Sequence, residues 1–186
     1  MLGILQHIRR LTLNALMASS SALAAQGQAP ERPVPAPEMA NLAFFVGTFA
    51  CDGEARATPM STAHPMERTI TGQIDLDGHW LFMRFLDRTT EDNPTPIRGN
   101  WQLTYDARAK GYVAVWTDNL GRWFPQTSAG WKGNTISFAG DFLLNEQKAT
   151  VRDTFTKKSD SEMLMAVDLQ KGGEWTRFID LNCRRK

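Results

Sequence analysis

The chain has 186 residues, 42% of them hydrophobic and 22% charged, a make-up that fits one globular domain with extensions and excludes disorder throughout. Its formal net charge is +1 and no run of five Lys or Arg occurs, so it carries no electrostatic footprint for nucleic acid or for an anionic membrane surface.

The first residues differ from the rest. Arg9 and Arg10 precede LTLNALMASSSALA, a mildly apolar, acid-free segment that ends in Ala22-Leu23-Ala24, an A-x-A-like cleavage site. Residues 1–24 read as a signal peptide, with a disordered cytosolic leader as the alternative. The segment is too short and too polar for a spanning helix of roughly 20 apolar residues, so no integral membrane span is expected. A periplasmic or secreted location follows from the signal reading. Residues 25–41 contain QGQAPERPVPAP, with four prolines, and read as an extended linker. The domain proper then runs from 42 to 186, and PEMANLAFFVG, residues 37–47, which straddles its start, has room for one short helical turn.

Beyond it, short β-rich runs punctuated by turn residues replace any helical period. Ten strands are expected, roughly at 45–56, 66–76, 79–88, 97–105, 111–118, 122–130, 135–143, 148–157, 162–170 and 174–183. The clearest hairpin is ITGQIDLDGHWLFMRF, whose Asp77-Gly78 suits a type I′ turn because both central residues need positive φ. That turn pairs Ile74 with Leu81, Gly72 with Met83, Ile70 with Phe85 and Arg68 with Asp87. One face then carries Ile70, Ile74, Leu81, Met83 and Phe85, which should point inward, while Trp80 and Phe82 fall outside and call for a bulge or a covering segment. Gly172-Gly173 marks another hairpin, with Asp168 facing Arg177 if the turn holds two residues.

Sequential strands joined by tight turns make an antiparallel meander, and a long meander closes most simply as an up-and-down β-barrel, which removes its edges. The fold class is therefore all-β, a barrel of about ten strands. Closure makes the first and last strands neighbours. Cys51 and Cys183 then come within reach of a disulfide bond, which an exported chain would form; two buried thiols are the other possibility.

The run WQLTYDARAKGYVAVWTDNLGRWFPQTSAGWKGNTISFAGDF resembles a large bacterial family of uncharacterised, often exported lipocalin-like proteins. Its pattern of G-x-x-x-L-x-Y-D, K-x-Y-V, W-x-D-[NS]-x-G and T-[LI]-x-x-x-G is met by Gly99, Leu103, Tyr105, Asp106, Tyr112, Val113, Trp116, Asp118, Asn119, Gly121, Thr135, Ile136 and Gly140. FFVGTFACDGEA is similar to the family's first strand, with Phe49 in place of the usual Trp. The resemblance implies a lipocalin-like barrel and no particular activity. A related ten-stranded group holds haem through a late histidine; the histidines here are His7, His64 and His79, so haem is not expected, and no other cofactor is indicated.

Six tryptophans in a barrel wider than its own side chains fill point to a cavity, with a plugged dry core as the alternative. The expected lining is Trp101, Trp116, Trp123, Met83, Phe85, Phe138 and Met165, and the expected partner a small apolar or amphipathic molecule. An inward Arg68 or Arg84 would suit a carboxylate head group; an outer cross-strand ion pair such as Arg68 with Asp87 is the plainer reading. The second function class is a cofactor-independent isomerase, cyclase or lyase, with His79, Tyr105, Asp118 and Arg84 as candidate catalytic residues provided that at least two of them converge inside one pocket. HxxxH, CxxC and HExxH are absent, so no metal site is indicated. A third class, a partner-binding envelope protein, would use an exposed apolar patch, with Trp80 and Phe82 as first suspects.

Overall fold

A computed structural model describes residues 31–58, 62–144 and 147–186. The expected signal segment lies outside the described residues. A 3-10 helix, η1 (Pro37–Phe45), leads into ten strands: β1 (Gly47–Ala55), β2 (His64–Asp75), β3 (Trp80–Asp87), β4 (Arg98–Asp106), β5 (Gly111–Asp118), β6 (Trp123–Ser128), β7 (Thr135–Leu144), β8 (Gln147–Lys157), β9 (Glu162–Lys171) and β10 (Glu174–Arg185). They pair antiparallel in chain order and close through β1 and β10 into a barrel. The last residues of the expected linker belong to the fold, since η1 begins at Pro37 and Met39 is buried.

The register of the β2–β3 hairpin is the one its turn demands. Ile70 pairs with Phe85, Gly72 with Met83 and Ile74 with Leu81, and Asp77 and Gly78 take φ of 56° and 88°, joined by Leu76 at 51°. Alternation then buries Ile70, Leu81, Met83 and Phe85. Trp80 and Phe82 fall on the other face but are half-buried, so they form no large exposed patch. The strongly exposed apolar side chains lie elsewhere, at Val34, Leu76, Leu120, Trp123 and Leu143.

Cys51 and Cys183 are directly paired across the closing β1–β10 ladder and form a disulfide, their Cα atoms 3.9 Å apart. The bond spans 132 residues of sequence. A loop of that length is worth about 5 kcal/mol in the chain-entropy account.

One end of the barrel is sealed by η1. Its Met39, Leu42 and Phe45 are buried, and Phe45 stacks on Trp131 at 5.8 Å and meets Phe155 edge-on at 5.2 Å. A 3-10 segment leaves carbonyls unbonded, and side chains of the wall satisfy them. Tyr112 Oη donates to Glu38 O at 2.8 Å, Trp131 Nε1 to Asn41 O at 3.0 Å and Arg185 Nη2 to Phe44 O at 2.7 Å. The plug needs a glycine in the wall: a Cβ at Gly72 would lie 2.0 Å from Phe45 O.

Candidate functional site

A cavity of about 320 Å³ opens at the other end, bordered by Thr58 and His64 and by the connections 88–97 and 119–122. Its apolar wall comes from inward positions of successive strands, with Phe124 on β6, Phe142 on β7, Val151 on β8 and Met165, Val167 and Leu169 on β9. Trp116 completes it, lying against Gly99, where a Cβ would come 2.3 Å from the indole. This glycine is what lets an indole lie flat against the neighbouring strand.

Polar groups are few and most are matched. Arg68 and Asp87 pair across β2 and β3 as expected, yet on the inside, with Nε–Oδ1 at 2.5 Å and Nη2–Oδ2 at 3.1 Å and side chains 4% and 2% exposed. The outer ion pair expected here is therefore corrected: Arg68 shares the parity of Ile70, so it must point inward with it. Its guanidinium also lies 5.7 Å from the Phe85 ring centroid. The fork cancels the charge of Arg68 against Asp87, and the remaining Nη1 lies 3.7 Å from the Met165 sulfur, so the pair presents no net positive charge to a ligand carboxylate.

Deeper lies a one-way chain of hydrogen bonds. Trp101 Nε1 donates to Gln126 Oε1 at 2.7 Å, and Gln126 Nε2 donates to Asp153 Oδ2 at 2.7 Å. An indole can only donate, which fixes the orientation of the amide and aims its N–H at the carboxyl. Asp153 lines the cavity, and burial pushes its carboxyl up to about 6, against the Gln126 bond and the Arg68 charge and with the help of the Asp168 charge.

The Asp118 carboxylate organises the mouth. It accepts from Trp116 Nε1 at 3.1 Å, Leu120 N at 3.0 Å, Arg122 N at 3.2 Å and Arg122 Nε at 2.8 Å. Burial pushes this carboxyl up, but the bonds from Arg122 and Trp116 together hold it below the usual carboxylate range. Asn119 binds the facing strand entry, accepting from Arg98 N and donating to Pro96 O.

The expected lining separates into three groups. Trp116 and Met165 line the cavity. Trp101, Met83, Phe85 and Phe138 lie in the packed core, all at most 2% exposed, with Trp101 and Phe138 in edge contact at 4.8 Å. Trp123 is a correction: it stands on the outer face, 70% exposed, because Phe124, Gln126 and Ser128 take the inward positions of β6.

The four candidate catalytic residues do not converge. His79 sits in the β2–β3 turn at the sealed end, its Nε2 3.1 Å from Pro33 O. Tyr105 faces Tyr112 there, its hydroxyl pushed up by burial and by the neighbouring Glu38. Arg84 is exposed on the outer face and Asp118 is at the mouth. None of the four lines the cavity, so the cavity gives this quartet no support as a catalytic set.

Sequence reasoning passed over Gln126, Phe124, Phe142 and Asp153 as site residues. The signal for Phe124 was the turn length: Asp118 N bonds Arg122 O at 3.1 Å around three residues, 119–121, and that register puts Phe124 opposite Trp116. Arg152 and Arg177 converge on Asp168 outside the barrel, Arg177 Nε lying 2.6 Å from Oδ1. Among the described residues, no group of His, Cys, Asp or Glu is placed to hold a metal ion.

A family model described as protein of unknown function (DUF1579) matches residues 34–185. The chain belongs to this family. Solved structures that match the DUF1579 barrel include Rv2717c from M. tuberculosis, with 13% sequence identity and a TM-score of 0.64 over 82% of this chain and 99% of that chain. At that identity the likeness is one of fold. No curated protein matches.

Proposed function

We propose that this DUF1579 protein is an exported, lipocalin-like barrel that binds a small apolar or amphipathic molecule in the cavity opposite η1. The observation that carries the reading is the contrast within one interior: a packed aromatic layer at the sealed end, and about 320 Å³ of largely apolar space at the other. That volume lies at the small end of the usual range for ligand pockets, about 300 to 1,000 Å³. The export part of the reading is supported by the Cys51–Cys183 disulfide and by the acid-free leader that ends in Ala22-Leu23-Ala24.

The test is direct. Mass spectrometry of an organic extract of the purified protein should reveal a co-purified molecule, and titration with decanol should change Trp116 fluorescence saturably. Val151→Phe, which fills the cavity from β8, should weaken that binding. An empty extract together with no saturable binding overturns the reading.

A further inference from the structure

We propose that the ligand is an amphipathic amine whose protonated head is read by Asp153 at the inner end of the cavity. The assignment rests on the cavity-binding reading above and adds to it the charge and orientation of the occupant.

The charges around the cavity balance at close quarters, with one exception. Four charged side chains line the cavity: Arg68, Asp87, Arg122 and Asp153. Arg68 and Asp87 cancel through two hydrogen bonds, and Arg122 is held by Asp118 at 2.6 Å. Asp153 remains. Its bond comes from the neutral amide of Gln126, to Oδ2 alone, and Arg68 acts on it only through space. No buried side-chain nitrogen or oxygen among the described residues lacks a partner, so Oδ1, which takes no protein hydrogen bond, is turned to the open cavity. An apolar cleft with one accepting carboxyl oxygen and no spare cation repels a fatty acid and selects a donor, above all a cationic one.

The surroundings fit the rest of such a molecule. Phe124, Phe142, Val151 and Val167 give the alkyl portion an apolar wall. The Trp116 N–H is committed to Asp118 and the indole lines the cavity, so what it offers is a π-face, which suits an ammonium group or the methylenes beside it.

The experiment compares decylamine, decanol and decanoate by tryptophan-fluorescence titration of the full chain at about pH 8, the ionic pair below their micelle-forming concentrations and decanol below its solubility limit. Decylamine should bind at least about ten-fold more tightly than decanol, with decanoate weakest, the size expected of one charge-assisted hydrogen bond. In Asp153→Asn the preference for amine over alcohol should vanish. Decanol or decanoate binding as tightly as decylamine to the wild type overturns the amine assignment while leaving the cavity reading in place. A preference that persists in Asp153→Asn removes Asp153 from the role. Saturable binding of none of the three overturns the cavity reading itself. The wild-type order decides the ligand's charge even if the variant fails to fold.

Discussion

The two ends of this barrel are made from the same ten strands with the same inward alternation, yet one is packed and the other is open. At the sealed end the chain supplies an extra element, η1, whose Leu42 and Phe45 are 0% and 1% exposed and whose carbonyls are bonded by Tyr112, Trp131 and Arg185. Among the described residues, no comparable segment lies across the open end; its rim instead exposes Leu120, Trp123 and Leu143 at 60%, 70% and 71%. The cavity is therefore a consequence of where the plug is placed, not of barrel width alone. Ten strands leave more interior than wall side chains fill, and a single N-terminal segment closes only one end of it.

The largest expected effect breaks the sealed end. Phe45→Ala removes a ring held between Trp131 and Phe155 and should cost about 3 to 5 kcal/mol, the range for truncating a buried aromatic. Phe178→Ala, at a half-buried position that already borders the cavity, should cost only about 1 kcal/mol, because no new enclosed void is made. Urea unfolding of both variants measures the difference. Equal costs would show that the two ends are packed alike and that the contrast drawn here is wrong.

The strands were legible because turn chemistry and period-two patterning agree along most of the chain; the Asp77-Gly78 hairpin gave its register outright. Facing was harder wherever aromatics stood side by side. In Trp123-Phe124 either ring has the bulk for the interior, and only the three-residue turn 119–121, with Asp118 facing Arg122, decides for Phe124. The Arg68–Asp87 pair shows a second limit. Pairing follows from register, but whether a matched ion pair faces water or the core depends on which neighbours share its parity, and burial of charge runs against the usual pattern. Asp153 was invisible as a site residue for a related reason: the Gln126 amide that holds it sits two strands away in the barrel order, on β6 against β8.

A smaller effect sharpens the comparison through pH. Asp153 has its carboxyl raised from 3.8 to about 6 in the folded state, so between those values the folded chain keeps a proton that the unfolded chain has lost. Stability should therefore fall as pH rises through this window and level off above it, by on the order of 2 to 3 kcal/mol at about 1.4 kcal/mol for each unit. The groups that act on Asp153 are Gln126 from β6, Arg68 from β2 and Asp168 from β9. Asp118, Asp141 and Asp168 shift downward, so the stability that they contribute is lost only as pH falls below the usual carboxylate range. The two windows do not overlap. Urea midpoints of the wild type and Asp153→Asn, compared at constant salt, should diverge between pH 3.8 and 6; parallel curves would mean that the carboxyl is not buried as described.

The smallest effect concerns the mouth. Asp118 holds the 118–122 turn through two backbone N–H groups, the Arg122 side chain and the Trp116 indole. Asp118→Ala takes away an acceptor serving four donors, but three of those lie on or beside a solvent-facing turn and recover bonds to water, so the loss should be only about 1 to 2 kcal/mol. The fourth is the Trp116 N–H, which points along the cavity wall and gains a water there. Two readouts then separate the roles of the carboxylate: the urea midpoint reports the turn, while the emission maximum of Trp116 reports wetting of the cavity and should shift to the red. A stability loss without any spectral change would place the indole N–H outside the cavity and move the boundary between the wet and dry parts of the barrel.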